Sequence, residues 1–156
     1  MKTDVFSLFQ SQNHAAIFSL IEHKTIQVDS LDKNKRSLLI HGTLENNIDF
    51  IKKLLEYNPS LNLLDKLGKS AMHYAARNKY FEIAAMLLQS GADIDLRDSY
   101  GNTPLNEAVF TSKGDGSMIK FLLQRGADRN LENYYGVSPL KLAQTIANYN
   151  IIEFFE

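Results

Sequence analysis

The chain has 156 residues, of which 44% are hydrophobic and 22% are charged, a composition typical of a folded protein rather than a disordered one. Its 17 Lys and Arg residues and 18 Asp and Glu residues give a formal net charge of −1, which argues against a nucleic-acid binder that depends on bulk positive charge. The chain contains no cysteine, which excludes disulfides, thiolate zinc sites and a cysteine nucleophile.

Membrane insertion and secretion are also disfavoured by the sequence. No apolar run reaches the roughly 18 residues that a membrane-spanning helix needs. The first six residues contain one basic and one acidic side chain and no long apolar core, which makes a poor secretion signal. We therefore expect a cytoplasmic protein with no membrane contact, built as one domain or as one short repeat array.

Short motifs recur along the chain at intervals of 33 to 35 residues. The first copies are weak: residues 1–31 follow the later units only in spacing, and residues 32–64 show a partial match. Residues 68–76 (GKSAMHYAA), 101–108 (GNTPLNEA) and 136–143 (GVSPLKLA) then repeat one motif. The recurring acidic and glycine positions are Asp32, Asp65, Asp98, Gly68, Gly101 and Gly136. Because the acids repeat once per unit, a role in turns explains them better than acid–base catalysis, which needs one convergent site.

These motifs resemble the ankyrin repeat, whose usual pattern is G-x-T-P-L-H-x-A-A, then E-I-V-x-L-L-L, then G-A-D-x-N. The resemblance implies an all-α solenoid of about five stacked helix–turn–helix units, with atypical repeats at the two ends. The predicted units form one domain, 1–156, with boundaries at about 1–31, 32–64, 65–97, 98–132 and 133–156.

Local chemistry supports the same helix boundaries. Thr103 suits a helix N-cap, and Pro104 suits the first helical position because it needs no amide donor. Gly91 and Gly126 suit the left-handed conformation that ends a helix. Between the helices of unit four, residues 111–117 form an insertion two residues longer than its counterpart. We interpret it as a tolerated flexible loop, with a contact loop or a hinge as the alternative.

No constellation for catalysis is visible. The four histidines lack the spacing of a helical zinc site, and there is no phosphate-binding or nucleophile-elbow motif. His73 occupies the histidine position of the resembled motif, which implies a role in hydrogen bonding between units. We therefore predict a non-enzyme without cofactor or metal.

The resemblance places a binding surface on the concave side, formed by the turn tips and the first helices. Residues at positions that the repeat leaves free are the candidates, and tyrosine and arginine among them often contribute most of an interface's binding energy. The candidate partner-binding residues are Leu67, Tyr74, Arg77, Tyr100, Glu107, Phe110, Tyr134 and Tyr135.

The resulting hypothesis is a monomeric protein–protein binding module that inhibits or neutralises a protein partner, as an immunity protein does, through its concave face. The alternative is a bacterial effector or adaptor that links two proteins. An enzyme is the third class, and the missing catalytic constellation disfavours it. No nucleic-acid partner is expected.

Overall fold

A computed structural model describes residues 4–146 and 148–156. Residues 1–3, where predicted unit one begins, and residue 147 lie outside this description. The described residues form nine α-helices, one 3₁₀ helix and no strand beyond an isolated bridge between Leu31 and Ser37. The helices are α1 Val5–Gln10, α2 His14–Glu22, α3 Leu38–Leu44, α4 Ile48–Leu55, α5 Ala71–Asn78, α6 Phe81–Gln89, α7 Pro104–Thr111, α8 Ser117–Leu123, α9 Pro139–Thr145 and the 3₁₀ helix Ile152–Phe155. The predicted all-α helix–turn–helix array is thus confirmed.

The helices begin where the sequence predicts. Ser37, Ser70, Thr103 and Ser138 adopt extended backbone angles, and each side-chain hydroxyl accepts a hydrogen bond from the backbone N–H three residues later. Such caps stabilise a helix by about 1 kcal/mol each. They precede the odd-numbered helices from α3 onward, which with α1 are called the inner helices below.

The turn before each inner helix from α3 onward is held by one side chain. These turns, called fingers, comprise residues 32–36, 65–69, 98–102 and 133–137. In each finger, Oδ1 of the first residue accepts hydrogen bonds from the backbone N–H groups two and four residues later. The N···Oδ1 distances are 2.7–3.0 Å. The acceptors are Asp32, Asp65, Asp98 and Asn133. The recurring acids therefore have a turn role, as their spacing predicted.

Stacking of the inner helices builds the core. Helix α5 packs against both α3 and α7, and α7 packs against α9. Ala75, Ala76 and Ala108 are almost fully buried, and their small side chains let these helices approach closely. Apolar side chains of the even-numbered helices close the other side of the core, among them Ile51, Leu87 and Ile119.

His73 links two units, as the resemblance implied. Its Nδ1 accepts a hydrogen bond from the Ser70 N–H at 3.2 Å, so Nε2 carries the proton and donates to the Asn102 carbonyl of the next finger at 3.0 Å. Burial lowers the pKa of His73, which keeps the ring neutral, as this pattern requires.

The insertion at 111–117 packs more closely than the predicted flexible loop. Asp115 pairs with Lys79 of the preceding unit at 2.7 Å. The Lys79 ammonium, followed by hydrogen bonds from Ser117, lowers the pKa of Asp115. Gly114 and Gly116 lie against the rings of Tyr149 and Phe154, so closely that a Cβ at either glycine would collide with the ring. The expectation of a loose loop is wrong because both glycines are packed against aromatic side chains of unit five.

Gly116→Ala tests this packing. We expect it to destabilise the protein by about 1–3 kcal/mol, because the methyl group must displace the Phe154 ring. In a Phe154→Ala background the same change should cost far less, which chemical denaturation of the four variants in a double-mutant cycle measures. Gly91→Ala is the control: it is strained by a φ of +97° but has open space around its Cβ position, so its cost should not depend on Phe154. Equal Gly116→Ala costs in both backgrounds would contradict the packing.

Candidate functional site

A groove of about 440 Å³ lies between the fingers of units three to five and the inner helices α5, α7 and α9. Its volume falls within the range of ligand pockets, roughly 300–1,000 Å³. It is called the finger groove below. Its lining residues are Lys69, Arg77, Asp98, Tyr100, Asn102, Asn106, Glu107, Phe110, Asn133, Tyr135, Val137 and Leu142. Five of the eight candidate residues are therefore brought together: Arg77, Tyr100, Glu107, Phe110 and Tyr135.

Large apolar side chains form the rim of the finger groove. Tyr100 and Tyr135 each stand immediately before a finger glycine, and Phe110 lies in the last turn of α7. Phe110 is 69% exposed and Tyr135 is 73% exposed. Side chains of this size gain most from burial when a partner covers them, since each aromatic ring contributes 150–250 Å² of contact area.

A cluster of four charges lies beside these rings. The Lys69 ammonium contacts Glu107 and lies 3.2 Å from Asp98, while Arg77 Nη1 donates to the second oxygen of Glu107 at 3.1 Å. Lys69 and Arg77 belong to unit three, and the two acids belong to unit four. The pairs join the two units, and the cluster carries no net charge.

Tyr74 is not available to a partner. It is only 7% exposed, and its hydroxyl donates to Asp65 Oδ2 at 2.6 Å. Glu107 is also buried and is engaged by the two cations. The expectation that Tyr74 and Glu107 are free to contact a partner is wrong, and the same feature of the repeat explains both cases. The helix position nine residues after a finger acid lies beside that acid, as His41 does beside Asp32 at 3.1 Å.

Leu67 and Tyr134 are exposed, at 55% and 65%, but neither lines the finger groove. Leu67 lies at the tip of the finger of unit three. Tyr134 packs along the fingers: its backbone N–H donates to the Tyr100 carbonyl at 3.1 Å, and the Arg97 guanidinium lies 5.2 Å from its ring centroid. These two candidates therefore lie outside the groove.

Asn106 is a groove residue that the sequence analysis did not select. It occupies the position that His73 holds one unit earlier, and its Oδ1 accepts from the Thr103 N–H at 2.9 Å. Its Nδ2 is buried and has no acceptor among the described residues. The shorter side chain makes no bond to the Val137 carbonyl, which corresponds to the Asn102 carbonyl bound by His73. The replacement of His by Asn in the repeated motif was the signal that could have revealed this site.

Comparison with known sequences gives the same classification as the repeated motifs. The family described as ankyrin repeats (3 copies) matches residues 7–98, more than half of the chain. The chain belongs to the ankyrin repeat family. A second description, ankyrin repeats (many copies), matches residues 79–123. Ankyrin repeats are in general protein–protein interaction modules.

Individual relatives are diverse. The chain is 39% identical over 61 residues to a putative ankyrin repeat protein, L271, of Acanthamoeba polyphaga mimivirus, covering 39% of this chain and 8% of the relative. It is 28% identical over 104 residues to a Caenorhabditis elegans homolog of transient receptor potential cation channel subfamily A member 1, covering 66% of this chain and 9% of the relative. It is 31% identical over 123 residues to a putative ankyrin repeat protein of Rickettsia bellii, covering 70% of this chain and 51% of the relative. The chain thus spans less than a tenth of the first two relatives and about half of the third.

Metal-binding clusters and membrane-spanning helices are both absent from the described part of the chain. Within residues 4–146 and 148–156, no group of three or more His, Asp or Glu side chains is arranged to hold a metal ion. None of the helices in these ranges has both the length and the apolar character needed to cross a membrane.

Replacing Asn106 by His tests whether the missing hydrogen bond between units four and five can be restored. We expect Asn106→His to stabilise the ankyrin array by about 0.5–1.5 kcal/mol, because the imidazole can bond the Val137 carbonyl as His73 bonds Asn102. The reciprocal change His73→Asn should destabilise it. Urea unfolding of both variants measures the two effects, and a destabilising Asn106→His would contradict the proposed equivalence of the two junctions.

Alkaline pH tests the buried hydroxyl of Tyr74. Burial, together with the hydrogen bond to Asp65, raises the pKa of Tyr74 to about 12, above the value of about 10 for an unfolded chain. The resulting stabilisation is complete below pH ~10 and is lost as the pH rises towards ~12. Tyr74→Phe should therefore be less stable by about 1–3 kcal/mol at pH 8 and should lose less stability between pH 10 and 12. Parallel pH dependences in the two proteins would contradict this assignment.

Proposed function

We propose that the chain binds a folded protein partner through the finger groove, and that Tyr100, Phe110 and Tyr135 are the main apolar contacts. The observation that carries this proposal is the convergence of three exposed aromatic side chains on one concavity. An aromatic residue at a finger tip or at the end of α7 fills no core in the free protein. Its burial by a partner would release water from a large apolar area.

The charge cluster supports binding at this place. Arg77 is half-exposed while its partner Glu107 is buried, so the guanidinium is held at the groove by an ion pair. An arginine fixed in this way has less conformational entropy to lose when a partner arrives. Arginine and aromatic residues are also the side chains most enriched at the centres of interfaces.

Binding at the finger groove would act by occlusion. We propose an inhibitory or neutralising role, in which the chain covers the surface of its partner. An adaptor or effector role would require a second, independent binding surface. Leu67, exposed at the tip of the unit-three finger outside the groove, is the residue that would favour this alternative. A cytoplasmic location and a monomeric state remain predictions of the sequence.

Site-specific photo-crosslinking in the native cell tests the proposal and does not require the partner to be identified beforehand. A photoreactive phenylalanine analogue at position 110 or 135 should capture one and the same protein. The same analogue at Gln89 or Gln124, both exposed on the opposite side, should not capture it. Leu67 provides the test of a second surface, since an adaptor should yield a different protein there. Capture only from positions 89 and 124 would place the binding site on the even-numbered helices, which form the outer side of the array.

The captured partner then allows a quantitative test. Changing Tyr100, Phe110 and Tyr135 together to Ala should weaken binding by several kcal/mol, since a buried aromatic contact often contributes about 2 kcal/mol or more. Helical content should stay nearly unchanged, because none of the three side chains is buried in the core. The control combines Gln89→Ala with Gln124→Ala and should bind normally. Unchanged affinity of the folded triple variant would refute the proposed surface.

A further inference from the structure

We propose that the finger groove recognises a segment of the partner in which an acidic side chain stands next to a large apolar one. This inference rests on the proposed binding function and adds the chemistry of the segment that is bound. It follows from which hydrogen-bonding groups of the groove are already used within the chain and which remain unused.

The charged acceptors of the groove are already occupied. Asp98 receives two backbone N–H groups on Oδ1, at 2.8 and 2.9 Å, and the Lys69 ammonium on Oδ2. Glu107 receives Lys69 on one oxygen and Arg77 on the other. The finger amide of Asn133 repeats the pattern, with Oδ1 accepting the N–H groups of Tyr135 and Val137. A lysine or arginine of a partner would therefore find no free carboxylate in the groove.

Donors remain unused at the same place. Only Nη1 of Arg77 is bonded to an acceptor side chain in the described part of the chain, and the guanidinium is half-exposed. Asn102 accepts the Asn133 amide on Oδ1 at 2.7 Å, which leaves its own Nδ2 as a donor. Asn106 is 3% exposed, and its Nδ2 has no acceptor among the described residues. Since Oδ1 of Asn106 must accept from the Thr103 N–H, the free atom of this amide is the donor nitrogen.

This imbalance selects for an occupant that supplies acceptors. A carboxylate is the strongest acceptor available to a protein and pairs with a guanidinium through two parallel bonds. An incoming cation would instead lose its hydration and find each carboxylate of the groove already bonded within the chain. Complementarity to the unused N–H groups of the Arg77 guanidinium thus favours an Asp or Glu of the partner opposite Arg77.

The apolar rim specifies the neighbouring residue. Phe110 and Tyr135 line the groove together with Val137 and Leu142, so a large side chain beside the acid can bury its surface against all four. Together the two features describe a short acidic–apolar pair on an exposed segment. A basic or wholly polar segment would leave the free donors unpaired or the apolar rim exposed.

Selection from a phage-displayed library of random twelve-residue peptides tests this inference on the full chain. Enriched peptides should contain Asp or Glu directly beside Trp, Phe, Leu or Met. For a synthetic copy of one such peptide, exchange of the acid for its amide should weaken binding about tenfold, as expected for a lost charged hydrogen bond. Enrichment of peptides without this pair, or of no peptides, would overturn the inference.

Variants of the chain separate this inference from the proposed function. Arg77→Gln should lose the same factor of about ten, Arg77→Lys should lose less, and Arg125→Gln on the outer side is the matched control. The Arg77→Gln loss should vanish for the amide peptide, since the two groups contact each other. Additive losses would overturn the inference. Binding that depends on Phe110 and Tyr135 but not on an acid of the peptide would overturn this inference and leave the proposed binding site in the groove intact. Binding that is insensitive to Phe110→Ser and Tyr135→Ser would contradict the proposed function, because the binding site would then lie elsewhere.

Discussion

The finger acid, the aspartate that begins the fingers of units two to four, positions both its own turn and the inner helix that follows. In three consecutive units a buried or half-buried aspartate uses one oxygen to close its own turn and presents the other to a neighbouring side chain. The second oxygen meets His41, Tyr74 or Lys69, according to the unit. A buried carboxylate without such partners would cost several kcal/mol. In units two to four the finger and the inner helix that follows it are therefore positioned by the need to satisfy one buried carboxylate.

That requirement also explains where a binding surface can form. In units two and three the helix residue beside the finger acid is a hydrogen-bond donor, and it is consumed by that acid. In unit four the residue is Glu107, a second acid, which the cations of unit three neutralise. In unit five the finger residue is Asn133 and the helix residue is Leu142, so neither of these two positions carries a charge. The groove becomes apolar at this end of the array because unit five has no finger carboxylate that a charged side chain must neutralise.

Units four and five are held together partly by contacts of the insertion, which are not part of the repeat. The junction between units four and five lacks the histidine bond that joins units three and four, since Asn106 replaces the histidine. At that junction the insertion compensates in part by packing its two glycines against rings of unit five, while its Asp115 pairs with Lys79 across the junction between units three and four. The finger groove thus lies across a junction in which insertion contacts supplement the repeat contacts, and its unsatisfied donor is a consequence of the same substitution.

The amino-acid sequence alone was enough to predict the repeat, the helix caps and the turn role of the recurring acids, because each of these follows from a fixed spacing along the chain. The inter-unit role of His73 was implied by the resemblance to the ankyrin repeat. The sequence also identified Arg77, Tyr100, Phe110 and Tyr135 as candidates that the structure brings to one groove. Three features are visible only in the folded protein: Tyr74 and Glu107 are buried, the insertion is packed, and Asn106 leaves a donor free. Those outcomes depend on contacts between residues 9 to 38 positions apart. The spacing of a repeat specifies which positions are equivalent, but it does not specify whether the side chains at two positions can form a hydrogen bond or an ion pair with each other.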